Sequence, residues 1–464
     1  MIITHSKRKL FWILAIGAML RIIIAILGWT TTVFESYDNS ITVVYQRSAY
    51  LVAFGYGYEQ TLPDSPSYFA LEEIISKINN GETYTTDLPK DGRYYTSHYP
   101  PGYPLIGALL FKITGIPICY LLQILGIFFD LITMYLLYRL IVMYANIKVA
   151  LFAVLIYSIS PQSISLSISM TPDSLMPLLV VSTCYIFSLY YKKPGFKYIL
   201  FIGIINGLGG YLRSDFILLP FAFSLLFIIN WKTFKWLQLL KYNISIALIT
   251  LILLTPWALS NKRQYNEFNP TSTSLGATLV TGVSILPNQW GLGTTDFDRF
   301  EEAQSQGFES PFEFEANNYF KMKFKEYIND NPVYYLKTCL YRTVYFIFAP
   351  HSWGIEHSKY EKSFSQVKNE GTIKDSFFYL LNTYWSQLIS SLVSFLSFIF
   401  FIRYVKQPEN NPLNLIILSV IICVWGSHVF IHMTSVYIMS LYPLQCFLIS
   451  HTVMHYKKKK LIVQ

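Results

Sequence analysis

The residues able to do chemistry in this chain are carboxylates and cations standing at the ends of apolar runs. Asp38 lies in Glu35-Ser36-Tyr37-Asp38-Asn39-Ser40, a few residues past the first such run. A carboxylate there can take a proton from a polar acceptor, because a general base needs only hydrogen-bond reach of that proton. The same Asp also suits the N-cap of a helix beginning at Ile41. Asp64, in Pro63-Asp64-Ser65-Pro66, offers the same two readings before a second amphipathic stretch. Asp173 follows Thr171-Pro172, as helix-start chemistry does, yet a carboxylate this close to a bilayer is a functional candidate by default. Arg213 and Asp215 share a very short turn, where Arg suits bidentate phosphate binding or a simple internal ion pair.

Further candidates surround these. His98 and Tyr99 sit in Tyr95-Thr96-Ser97-His98-Tyr99-Pro100-Pro101-Gly102-Tyr103-Pro104, where His98 can hold phosphate or shuttle a proton. The paired prolines fix an extended backbone leading to a surface helix. Lys262 and Arg263 follow Pro256-Trp257 and either grip a lipid phosphate or act as interfacial residues beside a Trp anchor. Asp130 falls inside an apolar run, where facing lipid is costly, and is expected to hydrogen-bond within a bundle.

The elements that must position these residues are membrane helices. The chain has 464 residues, 53% of them hydrophobic and only 14% charged, against roughly 25% in soluble domains. Apolar runs lie near 10–33, 119–138, 149–170, 173–191, 198–212, 216–230, 237–258, 377–402, 411–432 and 434–453. This predicts an all-α polytopic membrane protein of about ten transmembrane helices, since a span needs about 20 apolar residues. Basic residues in short connections set orientation. Lys7, Arg8 and Lys9, then Arg139 with Lys148, Lys192 with Lys193, Lys232 with Lys235, Arg403 with Lys406, and Lys457 to Lys460 all fall on one side. Both termini are therefore expected in the cytoplasm, and the large loops 34–118 and 259–376 outside. The expected organisation is a membrane-embedded module over 1–258, a large external loop over 259–376 and C-terminal spans over 377–464.

Within the first loop, Ile41–Phe54 and Tyr68–Ile78 read as amphipathic helices ending at Gly55 and Gly81. The second loop reads as a Gly, Ser and Thr-rich polar loop up to Thr295. It continues as a helix from about Glu313 to Phe348, interrupted at Pro332. The net charge of +9 belongs to the loops and chain ends, which argues against nucleic acid as the partner. Five cysteines without a CxxC pattern imply no disulfide framework or metal cluster.

Together these segments resemble the multi-spanning glycosyltransferases of the GT-C class. They are most similar to the family 39-like proteins related to protein O-mannosyltransferases and to the aminoarabinose transferase of lipid A. The likeness is carried in order by the acid after the first span, His98 to Pro104, Ser160-Pro161, Thr171-Pro172-Asp173 and Leu212-Arg213-Ser214-Asp215. It continues through Pro256-Trp257, Asn261, Phe268-Asn269-Pro270-Thr271-Ser272-Thr273, Asn331-Pro332, Tyr335-Leu336 and Arg342. The resemblance implies inverting transfer of a sugar from a polyprenyl-phosphate donor to a lipid, glycan or protein acceptor, on the outer side of a plasma membrane. It implies a first-loop Asp as general base, Asp38 or Asp64, and Asp173 as a second acid. His98, Tyr99, Arg213, Lys262 and Arg263 become donor phosphate-binding candidates. No cofactor is evident, and the resemblance leaves a divalent metal open.

Two departures stand out. Relatives carry an acid and an Arg before the proline of the last span, whereas Thr434 to Pro443 here holds no charge, and the first loop is long. A membrane transporter or a flippase for lipid-linked glycans is the alternative. That class shows internal repeats and midplane polar breaks. Here the polar residues concentrate in the two large loops.

Overall fold

The computed structural model describes residues 2–29, 41–62, 65–229, 236–293, 296–348, 387–405, 412–433 and 438–463. The first helix, α1 (Ile2–Trp29), enters the bundle. Then come α2 (Ile41–Phe54), the short strand β1 (Glu59–Thr61), α3 (Pro66–Asn80), β2 (Arg93–Tyr95) and α4 (Gly102–Thr114). The bundle continues with α5 (Ile118–Val142), α6 (Ile147–Ile159), α7 (Pro161–Ile168), α8 (Met176–Lys192) and α9 (Phe196–Gly210). Short pieces α10 (Leu219–Ala222) and α11 (Ser224–Ile229) lead to the long α12 (Trp236–Tyr265). A second group is α13 (Leu275–Ser284), α14 (Asp296–Ser305), α15 (Phe314–Asp330) and α16 (Pro332–Phe348). Helices α17 (Gln387–Val405), α18 (Pro412–Val429) and α19 (Tyr442–Val463) complete the described chain.

This is a mostly helical membrane protein. Described helices fall on all ten apolar runs. Five are long and apolar enough to cross a membrane, and six if the bent pair α6–α7 is one span. Of the remaining runs, 198–212 lies in the shorter α9 and 216–230 in the short pieces α10 and α11, while the last two lie in α17 and α19.

The amphipathic stretches of the first loop form as their patterns require. Helix α2 ends at Phe54 before Gly55, whose φ is 93°. Helix α3 closes on Gly81 at φ 71°, whose N–H returns to the carbonyls of Lys77 and Ile78. Its N-cap is Ser65, whose hydroxyl accepts from the Tyr68 amide at 3.2 Å. Ser65 thus fills the capping role, and Asp64 lies outside the described residues. Strands β1 and β2 pair antiparallel, Glu59 opposite Tyr95. In the second loop the break at Pro332 separates α15 from α16, and the Asn331 carboxamide oxygen caps α16 through the Tyr334 amide at 3.0 Å. One expectation is corrected: the stretch up to Thr295 read as a polar loop, but it holds the buried helix α13. Its small residues serve close packing rather than turns. A Cβ on Gly276 would meet the Asn317 carbonyl oxygen at 2.3 Å.

A buried ion pair fixes the bend between α6 and α7. Pro161 has no N–H, so the Tyr157 carbonyl loses its helical donor. The Ser163 hydroxyl donates to that carbonyl instead. Arg21, fully buried, donates to the next carbonyl, Ser158, at 2.8 Å and to the Ser163 hydroxyl at 2.9 Å. Its Nε donates to Asp130 at 2.7 Å, and Tyr157 donates to the other Asp130 oxygen at 2.6 Å. The expected internal hydrogen bonding of Asp130 is met, with a cation on α1 as its partner. Asp130→Leu strands the Arg21 charge and should cost roughly 3–5 kcal/mol, while Arg21→Met with Asp130→Leu should recover most of it. Thermal unfolding in detergent checks this; a double variant no more stable than Asp130→Leu would contradict it.

Candidate active site

Arg213 organises a cluster at one end of the bundle. It opens the 3-10 turn Ser214–Leu218 after α9, while Asp173 sits in the 3-10 turn Pro172–Leu175 before α8. The Arg213 guanidinium donates to Asp173 through one Nη and to Asp215 through Nε at 3.0 Å. Asp215 also meets the His428 Nε2 of α18 at 3.1 Å. The Arg213 and Asp173 side chains are 15% and 13% exposed, and that of Asp215 is 29% exposed, so the cluster is held yet reachable. These four residues line a cleft of about 420 Å³ of empty space, open solvent included, together with Ser427 and Ser440. With His428 neutral the cluster carries one net negative charge; with His428 protonated it carries none.

The motifs around the cluster interlock with it. The Gly102 amide donates to the Tyr211 carbonyl at 2.8 Å, so the Pro-Pro-Gly segment docks on the turn that presents Arg213. A Cβ on Gly102 would lie 2.5 Å from the Tyr211 oxygen, which requires glycine there. The Asn269 to Thr273 segment closes the other side. Its Thr273 amide donates to the Ser97 carbonyl at 2.9 Å, and its Ser272 amide donates to the Ser214 hydroxyl at 3.2 Å. Asn261, buried on α12, donates to the Asn269 carbonyl at 2.7 Å and so holds that segment. Three stretches far apart in sequence thus frame the Arg213 turn. Tyr45 of α2 completes the frame, packing on Tyr99 and Tyr103. Burial holds its hydroxyl well above the usual phenol range; the neighbours Tyr99, Tyr58 and Asp173 add to this and Arg213 opposes it.

His98 lies in this frame, sandwiched between the rings of Tyr99 and Phe312. Burial holds its imidazole well below the ordinary value, so it is neutral near pH 7. Lys262 and Arg263 stand exposed in the last turn of α12, outside the carboxylate cluster. Asp38 and Asp64 lie outside the described residues. Among the described residues no group of three or more His, Cys, Asp or Glu has the geometry to hold a metal ion. Sequence reasoning missed His428; the signal available was a titratable residue at the end of an apolar run.

A second cavity adjoins the cleft across α18. Helices α16, α17, α18 and α19 form an apolar groove of about 940 Å³ of empty space, open solvent included, lined by Phe346, Phe401, Ile421, Trp425 and Leu444. Helix α18 therefore turns Ile421 and Trp425 to the groove and Cys423 and His428 to the charged cleft.

Residues 98–259 match the family model described as dolichyl-phosphate-mannose-protein mannosyltransferase. The chain also superposes on the oligosaccharyltransferase AglB from Archaeoglobus fulgidus, solved with an inhibitory peptide and a dolichol-phosphate. That match has a TM-score of 0.52 at 14% identity, over 97% of this chain and 51% of that one. The protein has the GT-C fold. A second structure, the Archaeoglobus fulgidus oligosaccharyltransferase tethered to an acceptor peptide, matches with a TM-score of 0.50 at 12% identity, over 97% of this chain and 50% of that one. The chain spans about half the length of these GT-C structures. No curated protein matches the sequence. Both comparisons meet the GT-C resemblance carried by the motifs. The family-model stretch contains Asp173, Arg213 and Asp215 together with the His98 to Pro104 segment that frames them.

Proposed function

We propose that this chain is a glycosyltransferase. It moves a sugar from a polyprenyl-phosphate carrier to a lipid, glycan or protein acceptor, outside the cytoplasm and with inversion at the anomeric carbon. The observation that carries the reading is the mannosyltransferase family match over 98–259, which encloses the Asp173–Arg213–Asp215 cluster and the His98 to Pro104 part of its frame. The apolar groove on the other face of α18 supports an isoprenoid-linked donor. The dolichol-phosphate in the AglB structure and the acceptor peptide tethered in the second oligosaccharyltransferase structure have the same two chemistries, a polyprenyl carrier and a peptide acceptor. The basic residues of the short connections support cytoplasmic termini in a plasma membrane.

In the single displacement, the acceptor oxygen attacks the anomeric carbon from the face opposite the phosphate. Asp38, or Asp64 in its place, takes the acceptor proton as the bond forms. The electron pair of the breaking carbon–oxygen bond goes to the departing phosphate, where negative charge develops. Cations stabilise that charge more in the transition state than in the ground state. Arg213, Lys262 and Arg263, with His98 and Tyr99, are assigned to that side. Asp173 is the second acid, and Arg213 fixes its orientation. The test is stereochemical: with a donor of defined anomeric configuration, product analysis by NMR should give the opposite configuration. A product retaining the donor's configuration would rule out the single displacement.

A further inference from the structure

Arg342 stands outside the cluster and is fully buried. Its four acceptors are neutral. One Nη donates to the carbonyls of Val429 at 2.6 Å and Ile431 at 3.0 Å. The other donates to the Gly282 carbonyl at 3.1 Å and the Thr338 hydroxyl at 2.7 Å. Burying a cation against neutral acceptors costs free energy that simple packing would not demand. The return is geometric, because a rigid planar fork reaches backbone carbonyls on two separate segments at once. Those segments are the end of α18, immediately after His428, and helix α13 of the second loop. The approach is close: a Cβ on Gly282 would lie 1.8 Å from the Ile431 oxygen.

We propose that Arg342 is a positioning residue, clamping the end of α18 to the α13–α16 loop so that His428 is held on Asp215 in the cleft. This inference rests on reading the cleft as the transfer site. Arg342 bonds the carbonyls of Val429 and Ile431, beyond His428, and acts through the backbone it grips. The large loop thereby becomes part of the site, since α13 and α16 together set where the α18 residues stand.

Two measurements on the full chain in detergent or lipid test this, and one needs no activity. The first is maleimide labelling of the native Cys423, which lines the cleft on α18, read by peptide mass spectrometry. Arg342→Gln should speed labelling about tenfold by releasing the helix end. Arg342→Lys should also label faster than wild type, because a point charge cannot span both segments. Labelling unchanged in both variants overturns the clamp whatever the protein transfers. The second is a double-mutant cycle on polyprenyl phosphate release. Arg342→Gln should lower kcat about tenfold with little change in KM, and Arg342→Gln with His428→Gln should be no slower than His428→Gln alone. Losses that multiply overturn the action through His428. Faster labelling in a protein that releases no polyprenyl phosphate keeps the clamp and counts against the proposed function instead. Should Arg342→Gln not fold, Thr338→Val removes one acceptor and is expected to give the same effects at smaller size; unchanged labelling and kcat in that variant then overturn the clamp.

Discussion

Asp38→Asn should lower turnover roughly 10²–10⁴-fold and leave the KM for donor nearly unchanged. The carboxamide keeps the shape of the side chain but has no basicity at neutral pH. The acceptor hydroxyl then has to attack while still protonated or lose its proton to water. Donor binding does not use this group, so the loss belongs in kcat. Steady-state release of labelled polyprenyl phosphate by the reconstituted protein measures both constants. Asp64 occupies the rival position in the same loop. If Asp64 is the base, Asp64→Asn carries the loss and Asp38→Asn is spared; if neither variant slows release, neither carboxylate is the base.

Arg213→Ala should lower turnover by roughly 10²–10³-fold, the scale found when a preorganised charged contact is removed from a transition state. The structural consequence is equally specific. Asp173 and Asp215 lose the cation between them and are left as two carboxylates facing one half-buried cleft. Like charges at that range raise the affinity of one for a proton. Arg213→Lys should restore little, because an ammonium cannot bond both carboxylates from the two edges that the guanidinium uses. A lysine variant within threefold of wild type would show that charge alone matters at this position.

Much of the framework was legible because it depends on local rules. The end of α2 at Gly55, the end of α3 at Gly81 and the break at Pro332 follow from glycine's access to positive φ and proline's missing N–H. Asp130 was assigned inside the bundle because the bilayer penalises a lipid-facing carboxylate. What escaped depends on contacts between distant parts of the chain. Arg21 and Asp130 are 109 positions apart, and no periodicity announces their pairing. Helix α13 has the local signature of a loop because Gly, Ser and Thr signal turns, whereas there its glycines permit close packing on Asn317 and Ile431. For the site, Asp173, Arg213 and Asp215 were each singled out, and the ion pair of Arg213 with Asp215 was one of two readings. The bridge to Asp173 was not visible, since 40 residues separate them. His428 enters the cluster from α18, more than two hundred positions further on.

The most direct test of the transferase reading is donor turnover. The protein is reconstituted in lipid with a panel of labelled polyprenyl-phosphate sugars and crude membrane acceptors, and polyprenyl phosphate is followed with and without Arg213→Ala. Release from at least one donor is expected, tied to sugar transfer and reduced at least a hundredfold in the variant. Release from no donor, or release that Arg213→Ala leaves untouched, would contradict the transferase reading.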